Sequence, residues 1–169
     1  MDEYINEFTK ELKEKYPLLF PTNEQEPISL FGIECGKGWD HIVRAVCHMM
    51  YQEYRSAKRS YDYWSKSSKD DKDLELVEKY KQALEMAEQK MPKLAQVKEK
   101  FGTMRLYVDN SNPYVNGLID MAEAMSEVTC EVCGSPGKTY TMGWHKTLCL
   151  EHARERYGKV VDIPEQEKK

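Results

Sequence analysis

The sequence predicts an α+β fold, and three observations carry that expectation. Apolar residues recur at helical spacing through much of the first 91 positions, and they alternate at strand spacing on either side of Phe101-Gly102. Near the C-terminal end the stretch "CEVCGSPGKTYTMGWHKTLCLEHARERYG" holds three of the five cysteines and two of the four histidines. The expected parts are a long antiparallel helical hairpin, a central β-hairpin and a C-terminal treble-clef-like zinc finger. The expected boundaries are 1–128 for a mainly helical domain with its β-hairpin at about 94–108, 129–158 for a zinc-binding module packed on it, and 159–169 for a flexible tail.

The first helix follows from Ile5, Phe8, Leu12 and Tyr16, which share one face until Pro17 ends the run. A Pro-rich polar loop comes next. From Gly36 to Trp64 a single long helical pattern is expected, with Val43, Cys47, Met50, Tyr54, Tyr61 and Trp64 on one stripe. "SKSSKDDKD" breaks it, with Asp70 or Asp71 as an N-cap. A second helix carrying Leu74, Val77, Leu84 and Met91 stops at Pro92, and the short connection implies an antiparallel pair.

In "LAQVKEKFGTMRLYVDN" a turn at Phe101-Gly102 sets Lys100 opposite Thr103. That register gives Ala95, Val97, Met104, Leu106 and Val108 one inner face, and Gln96, Lys98, Lys100, Arg105 and Tyr107 the outer one. Glu99 falls on the apolar side by parity, which implies a buried network with an arginine or the end of the sheet. A short helix follows, with Asn112 as N-cap, Pro113 at its first position and a buried stripe of Leu118, Met121, Ala122 and Met125.

Cys130 and Cys133 form a C-x2-C pair followed by Gly134, and Cys149 and His152 form a C-x2-H pair after fifteen intervening residues. The first spacing converges two thiolates on one ion, and the glycine permits the tight turn that directs amides at sulfur. A knuckle, a hairpin and a ligand pair on a first helical turn make the order of a treble clef. Three thiolates and one imidazole close a tetrahedral shell around zinc and leave no position for a substrate water, so the metal is expected to be structural. His145 is the alternative fourth ligand, out of step with the second pair.

Other positions are candidates for binding. Gly36 and Gly38 before Trp39-Asp40 either bind an anion or simply lead a loop into a helix, with Trp39 anchoring the core. His41, Arg44 and His48 fall on one helical side, either as a cationic face for an anionic ligand or as a solvated one. Cys47 lies on the apolar stripe, and no adjacent base makes Cys35 a nucleophile. Lys98, Lys100, Arg105 and Tyr107 offer a basic strand face for a phosphate or an acidic partner, or else serve solubility and edge protection.

The bulk properties narrow the function. A net charge of −4 over 169 residues counts against a general nucleic-acid binder. No run of about 18 apolar residues provides a membrane span. The acidic, amphipathic N-terminus is unlike a signal peptide, and an odd cysteine count with metal-ligand spacing implies the cytoplasm.

The blocks "FGIECGKGWDHIV", "QVKEKFGTMRLYVD", "AEAMSEVTCEVCGSPG" and "GWHKTLCLEHA" resemble those of a widespread set of small bacteriophage and prophage proteins of unknown function. The likeness runs from about Leu30 to Arg156, with the stretch from about Ser56 to Lys93 as an expanded insertion. It implies a phage source, hence the host cytoplasm, and a zinc-stabilised fold, without a mechanism or catalytic residues. The expectation is a non-enzymatic accessory protein for host takeover or counter-defence. It would bind a host protein or sequester a small, nucleotide-like anion. The alternative is a nucleic-acid-binding zinc protein using Lys98, Lys100, Arg105, Lys138 and Lys146. An enzyme is the third reading, and it needs an open cleft that joins Cys35, His41 and Glu99. The aromatic Tyr54–Trp64 region also gives the expectation of a homodimer.

Overall fold

The computed structural model describes residues 3–67 and 71–158, and it mixes helices with two small sheets. Asp70 and the 159–169 tail lie outside the described residues. Helix α1 (Glu3–Lys15) buries Phe8 and Leu12, and Tyr16 follows it into the core. The stretch expected to be a plain loop is more ordered. A 3-10 turn at Pro17–Leu19 buries Leu19, Phe20 is buried beside it, and α2 (Pro27–Phe31) buries Ile28.

Strand β1 (Ile33–Glu34) comes next, then a 3-10 turn at Lys37–Trp39 and α3 (Asp40–Met50). The long helix expected from Gly36 to Trp64 is divided: α3 ends at Tyr51, and α4 (Gln52–Ser67) starts beyond it. The Tyr51 N–H is shared between the carbonyls of Cys47 and Met49 where α3 stops. The division separates two environments. Helix α3 buries Ile42, Val43, Val46, Cys47 and Met50, whereas α4 buries nothing fully. Helix α5 (Asp71–Gln89) packs along α4, with the Trp64 and Tyr80 rings stacked at 6.2 Å.

Strands β2 (Lys93–Lys100) and β3 (Thr103–Asp109) pair antiparallel, with Lys100 opposite Thr103 and Val97 opposite Leu106. Strand β1 adds to β2 in parallel, Ile33 beside Val97, so β2 is central and β3 is an edge. A register shift between Leu94 and Gln96 alters the expected inner face: Leu94 is fully buried, while Ala95 is only half-buried.

Helix α6 (Pro113–Glu127) starts at Asn112, whose side chain accepts from the Val115 N–H. Leu118 and Ala122 of the expected stripe are buried, but Met121 and Met125 are exposed, and Val115 and Ser126 complete the buried face instead. The difference comes from how α6 lies on β3. The Ser126 hydroxyl accepts from the Met104 N–H at 2.9 Å, and Glu123 Oε1 accepts from the Leu106 N–H at 3.2 Å. Two amides of the edge strand are thereby closed to strand addition. Ser126→Ala leaves the buried Met104 N–H without a partner and is expected to cost about 1–2 kcal/mol, measurable by urea titration. Unchanged stability would rule that role out.

Candidate metal centre and the surfaces around it

Residues 129–148 are organised by short-range hydrogen bonds rather than by a large core. The Gly134 N–H returns to the Cys130 carbonyl at 2.9 Å, the Cys130 N–H to the Ser135 carbonyl at 2.8 Å, and Gly134 itself takes φ +78°. Strands β4 (Lys138–Tyr140) and β5 (Lys146–Leu148) form a small antiparallel pair, and Cys149 begins α7 (Leu150–Tyr157). A small cluster of Cys130, Tyr140, Leu148 and Ala153 lies beneath.

These elements gather Cys130, Cys133, Cys149 and His152, whose ligand atoms all lie within 4.8 Å of one another. The group can hold a metal ion. Cys133 Sγ is 3.8 Å from Cys149 Sγ, and His152 Nδ1 is 3.5 Å from Cys130 Sγ and 3.1 Å from Cys149 Sγ. Hydrogen bonds from the Ser135 hydroxyl and amide pull the Cys133 thiol down to about 6, toward the thiolate form that binds metal. His145 is not in the group, and its ring lies against Phe101 at 6.2 Å.

The glycines at 36 and 38 face this centre, not an anion. The Gly38 N–H donates to the Glu131 carbonyl at 2.8 Å. A Cβ on Gly38 would stand 2.1 Å from the Cys130 carbonyl oxygen, and one on Gly36 would stand 2.4 Å from that of Glu131. Glycine is needed at both positions because two main chains touch there. Trp39 has no solvent exposure, and its indole N–H donates to the Thr129 carbonyl at 2.7 Å, so it holds the knuckle's entry and does not receive a ligand.

The remaining candidates divide. Arg44 forms a two-pronged ion pair with Glu11 and covers the Phe8 ring, tying α3 to α1. His41 is exposed, with its ring near Gly134, and His48 Nδ1 faces Arg55 at 3.0 Å. Lys98 and Arg105 are paired across the strands, as are Gln96 and Tyr107. Arg105 donates to the Met104 carbonyl and reaches Glu123 at 3.4 Å. Lys98 and Lys100 meet no carboxylate among the described residues; their ammonium groups sit over the rings of Tyr107 and Phe101 at 5.3 and 5.5 Å.

Glu99 is on the apolar side of the sheet, and its cationic partner is a lysine, not an arginine. Lys146 Nζ donates to Glu99 at 3.0 Å and to Glu131 at 2.8 Å, bridging β2, the knuckle and β5. The pair was hidden in the sequence because its members are 47 positions apart. Burial alone would raise the Glu99 carboxyl, but the Gly102 N–H, Lys146 and the Trp144 indole outweigh it and hold it below 4.5. Burial alone would lower Lys146, but Glu131 and Glu99 outweigh it and hold it above 10.5. Glu99 therefore contributes stability that is present above pH 4.5 and lost as pH falls through its lowered folded value. Lys146 contributes stability that is present below 10.5 and lost as pH rises through its raised value. Glu99→Gln is expected to flatten the fall in melting temperature below pH 4.5 relative to wild type, and Lys146→Met to cost about 2–3 kcal/mol at neutral pH by stranding two largely buried carboxylates. Parallel acid limbs for wild type and Glu99→Gln would exclude the Glu99 assignment.

Two adjoining clefts, of about 720 and 390 Å³, share Ile5, Cys35, Glu131 and Lys146, and Glu99 lines the smaller one. Cys35 and Glu99 thus come together, but His41 is not part of either lining. Burial, helped by the negative charges of Glu131 and Asp40, pushes the Cys35 thiol up to about 12, which leaves it a poor nucleophile. No described helix is long and apolar enough to cross a membrane. No family model, curated protein or solved structure matches the chain.

Proposed function

We propose that Cys130, Cys133, Cys149 and His152 hold a structural zinc ion, and that the chain is a non-enzymatic binding protein whose surfaces the metal keeps in place. The carrying observation is the four-donor group seated on the Gly36–Trp39 loop. Tetrahedral zinc, with Zn–S near 2.3 Å and Zn–N near 2.1 Å, separates two sulfurs by about 3.8 Å and a sulfur from a nitrogen by about 3.6 Å. The 3.8 Å and 3.5 Å separations of this group suit that geometry, and the 3.1 Å between Cys149 Sγ and His152 Nδ1 has to open by about 0.5 Å to meet it. Three thiolates favour zinc over hard cations, and four protein donors complete its shell. In this reading the module is treble-clef-like: a knuckle, a hairpin, and a helix whose first turn supplies the last ligands. The α4–α5 pair is an antiparallel arm.

Together with the phage-like sequence blocks, this supports an accessory protein in the host cytoplasm that acts in takeover or counter-defence. Its partner would be a host protein or a small nucleotide-like anion. Elemental analysis is expected to give one zinc per chain, and affinity capture from infected-cell lysate, with titration of nucleotides, a partner at micromolar strength. A protein that purifies folded without zinc, or that captures nothing and binds no nucleotide, would contradict the respective half of the proposal. A second reading, nucleic-acid binding, is favoured by one specific observation: the rings and lysines exposed at the hairpin tips.

A further inference from the structure

The turn joining β2 and β3 is unusual in its residues. Phe101 has φ +55° and Gly102 φ +82°, the signature of a type I′ turn, whose first position favours Asn, Asp or Gly. A bulky side chain there is disfavoured by about 1–2 kcal/mol. Burial of the ring does not offset this, because Phe101 is 63% exposed. Among the described residues of the fold the ring returns only its edge contact with His145 and the Lys100 ammonium over its face.

The turn is also held firmly in place. The Thr147 hydroxyl donates to the Gly102 carbonyl at 2.6 Å, and the Gly102 N–H donates to Glu99 at 2.7 Å. Beside it the β4–β5 loop presents Trp144, which is 67% exposed. The Trp144 indole faces Glu99, and its carbonyl accepts from the Tyr157 hydroxyl at 3.0 Å. His145 lies between, edge-on to Phe101. Around the turn from Trp144, the outer face of β2 and β3 carries Lys100, Lys98 and the exposed ring of Tyr107, over about 13 Å of strand. Glu99 and Glu131 share the single Lys146 ammonium, which leaves one net negative charge behind the turn, on the face opposite Lys98 and Lys100, while Glu34 beside Lys98 accepts from Gln96.

We infer that this surface binds single-stranded nucleic acid, with bases stacking on Phe101, Trp144 and Tyr107 and phosphates meeting Lys98 and Lys100. Exposed flat rings interleaved with lysines that lack carboxylate partners suit a flexible polyanion carrying π faces. A duplex keeps its bases stacked on one another and leaves such rings without a partner. This inference deepens the nucleic-acid reading above by naming the form of the ligand and the residues that contact it. The acidic surplus is concentrated elsewhere in the sequence, at the chain's ends and in α5, whereas residues 98–107 carry a local positive surplus.

The test is fluorescence anisotropy on the full, metal-loaded chain, using labelled 20-mer dT and rU oligonucleotides and a blunt 20-base-pair duplex at two salt concentrations. Wild type is expected to bind the single strands at micromolar level, to bind the duplex at least about fivefold more weakly, and to show a salt slope of about −1.4 from two phosphate contacts. Trp144→Ala is expected to weaken binding by about fivefold or more, the lower end of a lost base stack. Phe101→Asn separates binding from folding, because it suits the turn: it is expected to raise the melting temperature while weakening oligonucleotide binding by a similar factor. Duplex binding as tight as single-strand binding would overturn the inference. So would absent binding, or binding indifferent to both substitutions. Zinc content measured on the same samples reports separately on the structural-metal proposal, so either can fail alone.

Discussion

Cys130→Ser is expected to lose the bound metal and to lower the melting temperature by about 10 °C or more. The apparent metal-binding energy of small zinc modules, about 10–16 kcal/mol, is folding energy for the stretch that binds it. Residues 129–158 have only a four-residue core cluster to replace it. Losing even about 4 kcal/mol shifts the midpoint of a domain this size by roughly 8–16 °C. The loss should be local first. Hydrogen exchange is expected to show residues 129–158 unprotected, while the core amides of α3 and β2 stay protected, because Leu94, Val97, Ile42 and Val43 are buried in the larger cluster. A chelator acting on wild type should reproduce the pattern. If the metal-free chain kept the protection pattern of the loaded one, a structural role for the metal would be untenable.

Gly38→Ala is expected to cost about 4 kcal/mol or more, a magnitude reserved for backbone or core disruption. The added methyl would stand 2.1 Å from the Cys130 carbonyl oxygen and 2.5 Å from the Gly134 nitrogen. Both are backbone atoms of the knuckle, so no side chain can rotate aside. Relief requires the knuckle to lift from the Gly36–Trp39 loop, breaking the Gly38–Glu131 hydrogen bond and straining the Trp39–Thr129 one. Gly117→Ala is the matched control: it lies within α6 with nothing inside 4 Å of an added methyl. That substitution is expected to stabilise by about 0.5–1 kcal/mol through helix propensity. Thermal melts of the two variants should therefore move in opposite directions. A Gly38→Ala protein as stable as wild type would mean the knuckle does not dock on the loop.

The mixed class of the fold and the Cys/His group were legible because both are local signals. A C-x2-C and a C-x2-H bring their own geometry, and helical and alternating periods are read over a few turns or residues. What escaped depends on distant segments. Strand β1 has two residues and no period of its own; it exists because β2 offers an edge beside Ile33. The break at Tyr51 is invisible because the apolar spacing runs through it, although the core ends there. The register shift after Leu94 moved the buried position by one, and α6 turned Ser126 inward because β3's amides needed acceptors. Gly36 and Gly38 look like an anion loop in sequence, and only the position of Cys130–Gly134 explains them. The three-way ion pair at Lys146 likewise joins residues from three separate blocks.

The contact between the glycine loop and the knuckle also sets which substitutions the chain tolerates over generations. At Gly38 it is made by main chain against main chain, so there it recognises shape and not side-chain identity. Val132, half exposed between Cys130 and Cys133, takes no part in the Gly38 contact, so substitutions there leave that contact in place. Positions 36 and 38 are not free, since every other residue type carries a Cβ. The protein can therefore rewrite the outward face of its Cys/His module while the joint beneath it stays fixed.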